Sequence, residues 1–307
     1  MKKRILVIHY SQSGQLSEVL RNFVKPLAAS EDIELQQVSL QPRTDYPFPW
    51  PFLRFFDTFP ETVYLDPPEL NPLGLDENDR FDLIILGYQV WFLSPSLPTT
   101  AFLQSAIAHS LLRDTPVVTV IACRDMWLLA QEQTKQLLTA CRAQLVGNVV
   151  LVDEAGSIGS FLATPIWMMT GKKGPRLGGL IPRAGVKEEQ ILGCQRFGER
   201  IERVLRENLP IDRTLLRNLN AVKVNTKLIT TEHAARRSFL LWGRLLRALG
   251  PQGAWIRQPV IVIYFVFLVV LLVTVLPVSA LLKTATAPFM RKRIAAQSAY
   301  FSEPSGN

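Results

Sequence analysis

The sequence predicts an α/β fold: a doubly wound parallel sheet of five strands, followed by a basic C-terminal segment that is helical and membrane-associated. Three observations point there. Short, continuous apolar runs alternate with stretches of helical spacing over residues 1–207. The first run opens into a small, hydroxyl-rich loop before a helix. Far downstream, residues 258–282 carry no charged side chain.

Arg4–Tyr10 is an apolar run of the kind a strand shows when helices cover both its faces. Leu16–Ala28 then places Leu16, Val19, Leu20, Phe23, Val24 and Leu27 at helical spacing. Ile33–Leu40, Phe81–Leu86, Pro116–Ala122 and Asn148–Asp153 read as the other strands. Helical patterns fill Ala101–Leu112, Trp127–Leu145 and Val186–Asn208. Strands alternating with helices call for parallel pairing, and the spacing allows the order 2-1-3-4-5. Two insertions interrupt the pattern. Residues 41–80 are rich in proline and aromatics from Tyr46 to Phe52, and residues 155–185 carry Gly and Pro signals with Trp167-Met168-Met169. Each is expected either to form a lid or lipid-facing surface above the sheet's carboxyl edge, or to be a solvent-exposed connector anchored by aromatics.

Composition supports two regions with different work. Residues 1–170 hold 12 Lys/Arg against 18 Asp/Glu, and residues 171–307 hold 22 against 8. A basic half beside an apolar segment suits an anionic membrane surface. No nucleic-acid motif accompanies the charge, so nucleic acid is not an expected partner. Cys123, Cys141 and Cys194 lie far apart without ligand-like His spacing, so no metal site or disulfide framework is expected, and reduced thiols suit the cytoplasm. The opening Met1-Lys2-Lys3-Arg4 precedes only about four apolar residues, too few for a signal-peptide core, and reads as a lead into a buried strand.

A helix over the uncharged stretch would run about 35 Å, enough for a hydrocarbon core of about 30 Å. Arg244, Arg247 and Arg257 precede it, while Lys283, Arg291, Lys292 and Arg293 follow. Positive residues on both sides blunt the positive-inside rule. Two options stand: one span of the inner (cytoplasmic) membrane with the large domain in the cytoplasm, or a re-entrant helix with both ends on that side. Residues 208–257 form a basic connector in which Ala234–Leu249 reads either as an amphipathic interfacial helix or as one docked on the domain. Residues 283–307 are a basic and then polar tail.

The chemistry sits in Tyr10-Ser11-Gln12-Ser13-Gly14-Gln15-Leu16, between the first strand and the first helix. Ser11, Ser13 and Ser17 carry hydroxyl donors. Gly14 permits close backbone approach, and the helix start offers free amides and a positive dipole end. That suits a phosphate monoester. The loop is neither a Walker-type loop nor a dinucleotide turn, which disfavours ATP and NAD. His9 reads as a packed residue.

This motif is similar to the flavodoxin phosphate loop, [ST]-x-[ST]-G-x-[ST], departing at Gln15, where an amide replaces a hydroxyl. The resemblance covers residues 1–207 and implies FMN held by Ser11, Gln12, Ser13, Gly14 and Gln15. Gly87-Tyr88-Gln89-Val90-Trp91-Phe92 resembles the ring-lining segment of flavodoxin-like quinone reductases. It implies that Tyr88, Trp91 or Phe92 stacks on the flavin while Gln89, Val90 and neighbouring backbone bond its pyrimidine edge. The alternative is a hydrophobic patch packing the next helix. After the fourth strand, Arg124 either faces the flavin's O2/N1 side or pairs with Asp125. Over its whole length, through His-Tyr-Ser-Gln-Ser-Gly-Gln-Leu and the aromatic insertion, the chain resembles the dialkylresorcinol condensing enzymes. The expected function is a membrane-anchored FMN oxidoreductase acting on a lipophilic substrate, a quinone or a dialkylresorcinol-type intermediate. Its alternatives are a flavin-free lipid-binding scaffold and a condensing enzyme using Cys123.

Overall fold

Five parallel strands form one sheet in the computed structural model, which describes residues 2–153 and 156–306, the side chains of 156–162, 272 and 275–290 excepted. They are β1 (Lys3–His9), β2 (Ile33–Ser39), β3 (Leu83–Tyr88), β4 (Pro116–Cys123) and β5 (Gln144–Val152). Their order is β2-β1-β3-β4-β5, the flavodoxin-like arrangement, with β1 in register Ile5 to Leu83 and Ile5 to Leu35.

Strand periodicity divides the core. Ile5 and Val7 of β1 are buried with Leu16, Val19 and Phe23 of α1 (Gln15–Ala28) and with Phe197 and Ile201 of α9 (Gln195–Arg206). Leu6 and Ile8 turn the other way, onto Phe102 of α4 (Leu97–Leu103) and Leu111 of α5 (Ala106–Leu111). Each such side chain, fully enclosed, contributes about 1.5–3 kcal/mol.

Three helix boundaries differ from the expected ones. The helix expected over 101–112 is split into α4 and α5, because Ser105 starts a new helix by accepting from Ala108 N at 3.2 Å. The helix expected over 127–145 is α6 (Leu128–Ala140); Arg142 at φ 57° turns the chain, so β5 starts at Gln144 rather than 148. The stretch 186–208 holds α8 (Glu188–Gly193) and then α9.

The first insertion is no exposed connector over its first half. It builds α2 (Phe52–Asp57) and α3 (Phe59–Val63), and Tyr46, Trp50, Phe56 and Phe59 are all buried. The second contributes α7 (Gly156–Thr170), whose first residues lie outside the described side chains. Trp50 N donates to Met168 O, which joins the two insertions.

Past α9 the chain reaches α10 (Ile229–Ala248) and α11 (Arg257–Ser302). α10 docks on α3: Tyr64 Oη donates to Leu240 O at 2.9 Å, and Arg236 reaches Ser94 Oγ at 2.9 Å. Its other side leaves Leu241 and Leu245 exposed. α11 is anchored by Arg257, whose side chain is fully buried and ion-paired to Asp57 at 2.9 Å and Glu61 at 3.0 Å. Behind that tie lies an aromatic layer, in which Phe52 and Phe56 meet Phe265 and Phe59 meets Tyr264. The uncharged stretch 258–282 falls within α11, with the side chains of 272 and 275–282 outside the described residues. Among the described residues, no helix is long and apolar enough to cross a membrane.

Candidate functional site

β1 carries Tyr10 to the carboxyl edge of the sheet, and Ser11–Gly14 turn from there into α1. Gly14 adopts φ 80°, and a Cβ added there would meet nothing within 4 Å. The left-handed backbone, not crowding, is what calls for glycine, and the space above it is open. The N-cap Gly14 has no side chain to cap α1, so the amides of Gln15 and Leu16 and the positive dipole end face the loop. Ser11 Oγ accepts from Ser17 N at 3.2 Å, leaving the hydroxyl proton for another acceptor. His9 Nε2 lies 3.0 Å from Ser17 Oγ, and burial holds its pKa below the ordinary histidine value. His9 is therefore neutral at pH 7 and brings no positive charge. An anion here is met by amides, hydroxyls and the helix end.

Two glutamines tie this loop to the rest of the fold. Gln12 N donates to Gln89 Oε1, and Gln12 Nε2 donates to Pro47 O, both at 3.1 Å. Gln15 turns away from the loop. It is buried, and its Oε1 accepts from Val186 N at 3.3 Å. Gly185 makes room for it: a Cβ there would lie 2.6 Å from Gln15 Nε2. The amide that replaces the usual hydroxyl thus braces the second insertion and does not face the anion site.

The next loop is arranged otherwise than a stacking platform requires. Tyr88 is fully buried and its hydroxyl donates to Gln131 Oε1 at 2.5 Å. Trp91 is buried edge-on among Tyr10, Tyr46 and Trp50, with ring centroids 5.9, 5.0 and 5.7 Å away. The insertion supplies Tyr46 and Trp50, and the resulting burial leaves Trp91 no open face for the flavin that sequence reasoning assigned to it. Phe92, at φ 47° and half-buried, packs on Phe55, Phe59 and Phe239. Gln89 and Val90 stay half-buried at the sheet edge. The residues present therefore fit the phosphate end of FMN, while neither Tyr88 nor Trp91 offers a face to its ring.

Arg124 follows β4, half-buried. Burial lowers its pKa, and the carboxylates of Asp125 and Asp153 oppose that, so a cation is retained beside the edge. Asp153 Oδ2 also accepts from Gly185 N at 2.9 Å and Thr164 Oγ1 at 3.2 Å, fastening the second insertion. Cys123 sits in the same neighbourhood. Burial and the charges of Asp125, Glu232 and Asp153 push its thiol well up, the reverse of an activated thiolate. No group of His, Cys, Asp and Glu side chains that would hold a metal occurs among the described residues.

Sequence reasoning missed Glu232. This side chain of α10 is 1% exposed, and its carboxylate accepts from Leu128 N at 3.3 Å and Leu129 N at 3.0 Å. It caps α6 from a separation of 104 residues, so no local pattern announces it. Burial pushes its pKa up to about 7, against the pull of the amide donors. The folded state thus keeps a proton that the unfolded chain releases near its ordinary value of 4.5. Stability from this group is full below that value and is lost as pH rises towards 7, by about 3 kcal/mol. Denaturant unfolding at pH 4.5 and 7.5 should show that fall in the native chain, and Glu232→Gln should flatten it.

Topology and loop together define the class: a flavodoxin-like α/β fold with an open turn, left-handed at Gly14, between β1 and α1. No protein-family model matches the chain, and none of the curated proteins matches it. Among solved structures, it is similar to a flavoprotein from Lactobacillus acidophilus in complex with FMN, at 18% identity and TM-score 0.38, covering 48% of this chain and 93% of the other. An archaeal flavodoxin matches at 10% identity and TM-score 0.36, covering 66% and 99%. Oxidised flavodoxin 1 from Bacillus cereus matches at 17% identity and TM-score 0.33, covering 64% and 95%. At such identity and overlap these likenesses decide neither cofactor nor activity.

Proposed function

We propose that this protein is a membrane-associated, FMN-dependent oxidoreductase acting on a lipophilic substrate, a quinone or a dialkylresorcinol-type intermediate. The observation that carries the reading is the turn at Gly14, left-handed and open, on a helix start whose N-cap carries no side chain. Ser11, Ser13 and the amides of the turn would hold the phosphate of FMN, and Gln89, Val90, Phe92 and Arg124 would border its ring. Bound flavin supplies hydride or single-electron transfer. Arg124 would steady negative charge at the ring's edge. The packed aromatics Tyr10, Tyr46, Trp50 and Trp91 exclude water from one side. The bare apolar side chains of α10 and α11 support a place at the cytoplasmic face of the inner membrane, where such substrates dissolve.

One observation favours a second reading, a flavin-free lipid-binding protein: Trp91 is already buried against Tyr46 and Trp50. The condensing-enzyme reading is weakened by the raised Cys123 thiol. Anaerobic mixing separates them. Dithionite-reduced protein should regain its visible flavin absorbance on meeting a long-chain quinone in detergent, faster than free reduced FMN does. Protein with no flavin absorbance, or reoxidation no faster than free FMN, would count against the proposal.

A further inference from the structure

The two ends of α11 touch the same domain. At one end, Ile261 and Tyr264 are buried with Phe56, Phe59 and Leu246. At the other, Phe301 is buried with Tyr88, Trp127 and Ile229. There Tyr300 Oη donates to Glu132 Oε2 and Asn148 N donates to Ser305 Oγ, both at 2.7 Å. Helix α10 measures the gap between these anchor points. Ile229 to Leu246 along it is about 26 Å, whereas a straight helix would part Tyr264 from Phe301 by about 56 Å. The chain that leaves at Val273 therefore comes back by Arg291 to the domain it left. Pro277 and Pro288 lie in the sequence between them.

The outgoing turns cannot be comfortable in water. One side packs on the aromatic layer, while the other bares Ile263 at 58%, Val266 at 54%, Val270 at 54% and Val273 at 71%. Trp255, 78% exposed, stands just before them. Cations frame this stripe: Arg237 and Arg244 are exposed on α10, and Arg291, Lys292 and Arg293 on the returning turns. A second copy would bring these cations against their own kind across a two-fold axis. An anionic lipid surface meets both the charge and the apolar stripe.

We infer that the middle of α11, between Ile263 and Arg291, enters the bilayer as a re-entrant segment, with the stripe Ile263–Val273 in the hydrocarbon and both ends of the helix on the side of the globular domain. This rests on the membrane reading above and decides its topology. The test uses the full chain with a protease-cleavable tag at each terminus, in inverted inner-membrane vesicles from an expressing bacterial host. Protein that stays with carbonate-washed vesicles and loses both tags to added protease without detergent is the expected result. A C-terminal tag protected until detergent is added would overturn the re-entrant path and leave the membrane reading standing. Protein washed off the vesicles, whether monomer or dimer, would overturn both. Val266→Asp, at an exposed position, should cut the vesicle-bound to free ratio roughly a hundredfold without changing the thermal unfolding of the domain; an unchanged ratio would take the stripe out of the bilayer.

Discussion

Arg257→Ala is expected to lower the stability of the domain by about 3–5 kcal/mol, the usual cost of stripping one partner from a buried ion pair. The substitution leaves the carboxylates of Asp57 and Glu61 beneath an apolar layer without the guanidinium that bonds both. Glu61 alone meets Nη1 at 3.0 Å and Nη2 at 3.2 Å, a two-point contact that lysine cannot copy. Arg257→Lys should therefore recover only part of the loss. At about 2–4 °C per kcal/mol for a domain of this size, the midpoint should fall by roughly 6–20 °C. Neutralising the whole group, with Arg257→Met beside Asp57→Asn and Glu61→Gln, should restore much of it, because no buried charge then stands alone. Calorimetry of the four proteins checks this. A shift under about 2 °C for Arg257→Ala would mean that the start of α11 is not held through this pair.

The second large effect is expected at Gly14. Valine there must either hold a left-handed backbone, at about 1–2 kcal/mol, or let the turn relax and re-aim its amides. A backbone held left-handed with or without ligand leaves the affinity unchanged, whereas a turn that relaxes when empty must be re-formed on binding, which is worth about tenfold, and loss of the amide cradle adds to it. We expect the Kd for FMN to rise between roughly tenfold and a thousandfold, while the domain loses only about 1–2 kcal/mol of stability. Riboflavin, which lacks the phosphate, should bind weakly to both proteins and be insensitive to the change. Fluorescence-quenching titrations with the two ligands make the comparison. Equal losses for FMN and riboflavin would point to the ring end instead, where Gln89 and Arg124 sit.

Much of this fold is legible in the chain because its central strands are buried on both faces. Ile5 to Ile8 and Leu83 to Leu86 are continuous apolar runs, Val117 to Ile121 is one broken only by Thr119, and the helices between them keep helical spacing. Their boundaries are less legible, since Arg142 turns the chain with an ordinary side chain in a left-handed conformation. The turn after β1 reads well because glycine, hydroxyls and a helix start are all local. What long-range packing decides does not read. Trp91 looks like a ring platform until Tyr46 and Trp50 arrive from the insertion. Gln15 looks like an imperfect phosphate ligand until Gly185 and Val186 close on it. Arg257 looks like a cation flanking a membrane segment, yet it is fully enclosed by partners about 200 positions earlier.

We propose that the turn at Ser11–Gly14, left-handed at Gly14, holds the phosphate of a flavin. Full-length protein purified in detergent, incubated with FMN, separated from free ligand and then denatured tests it most directly. The account predicts release of about one FMN per chain, with Gly14→Val releasing much less. Native protein that carries no flavin and takes up none from added FMN would contradict it.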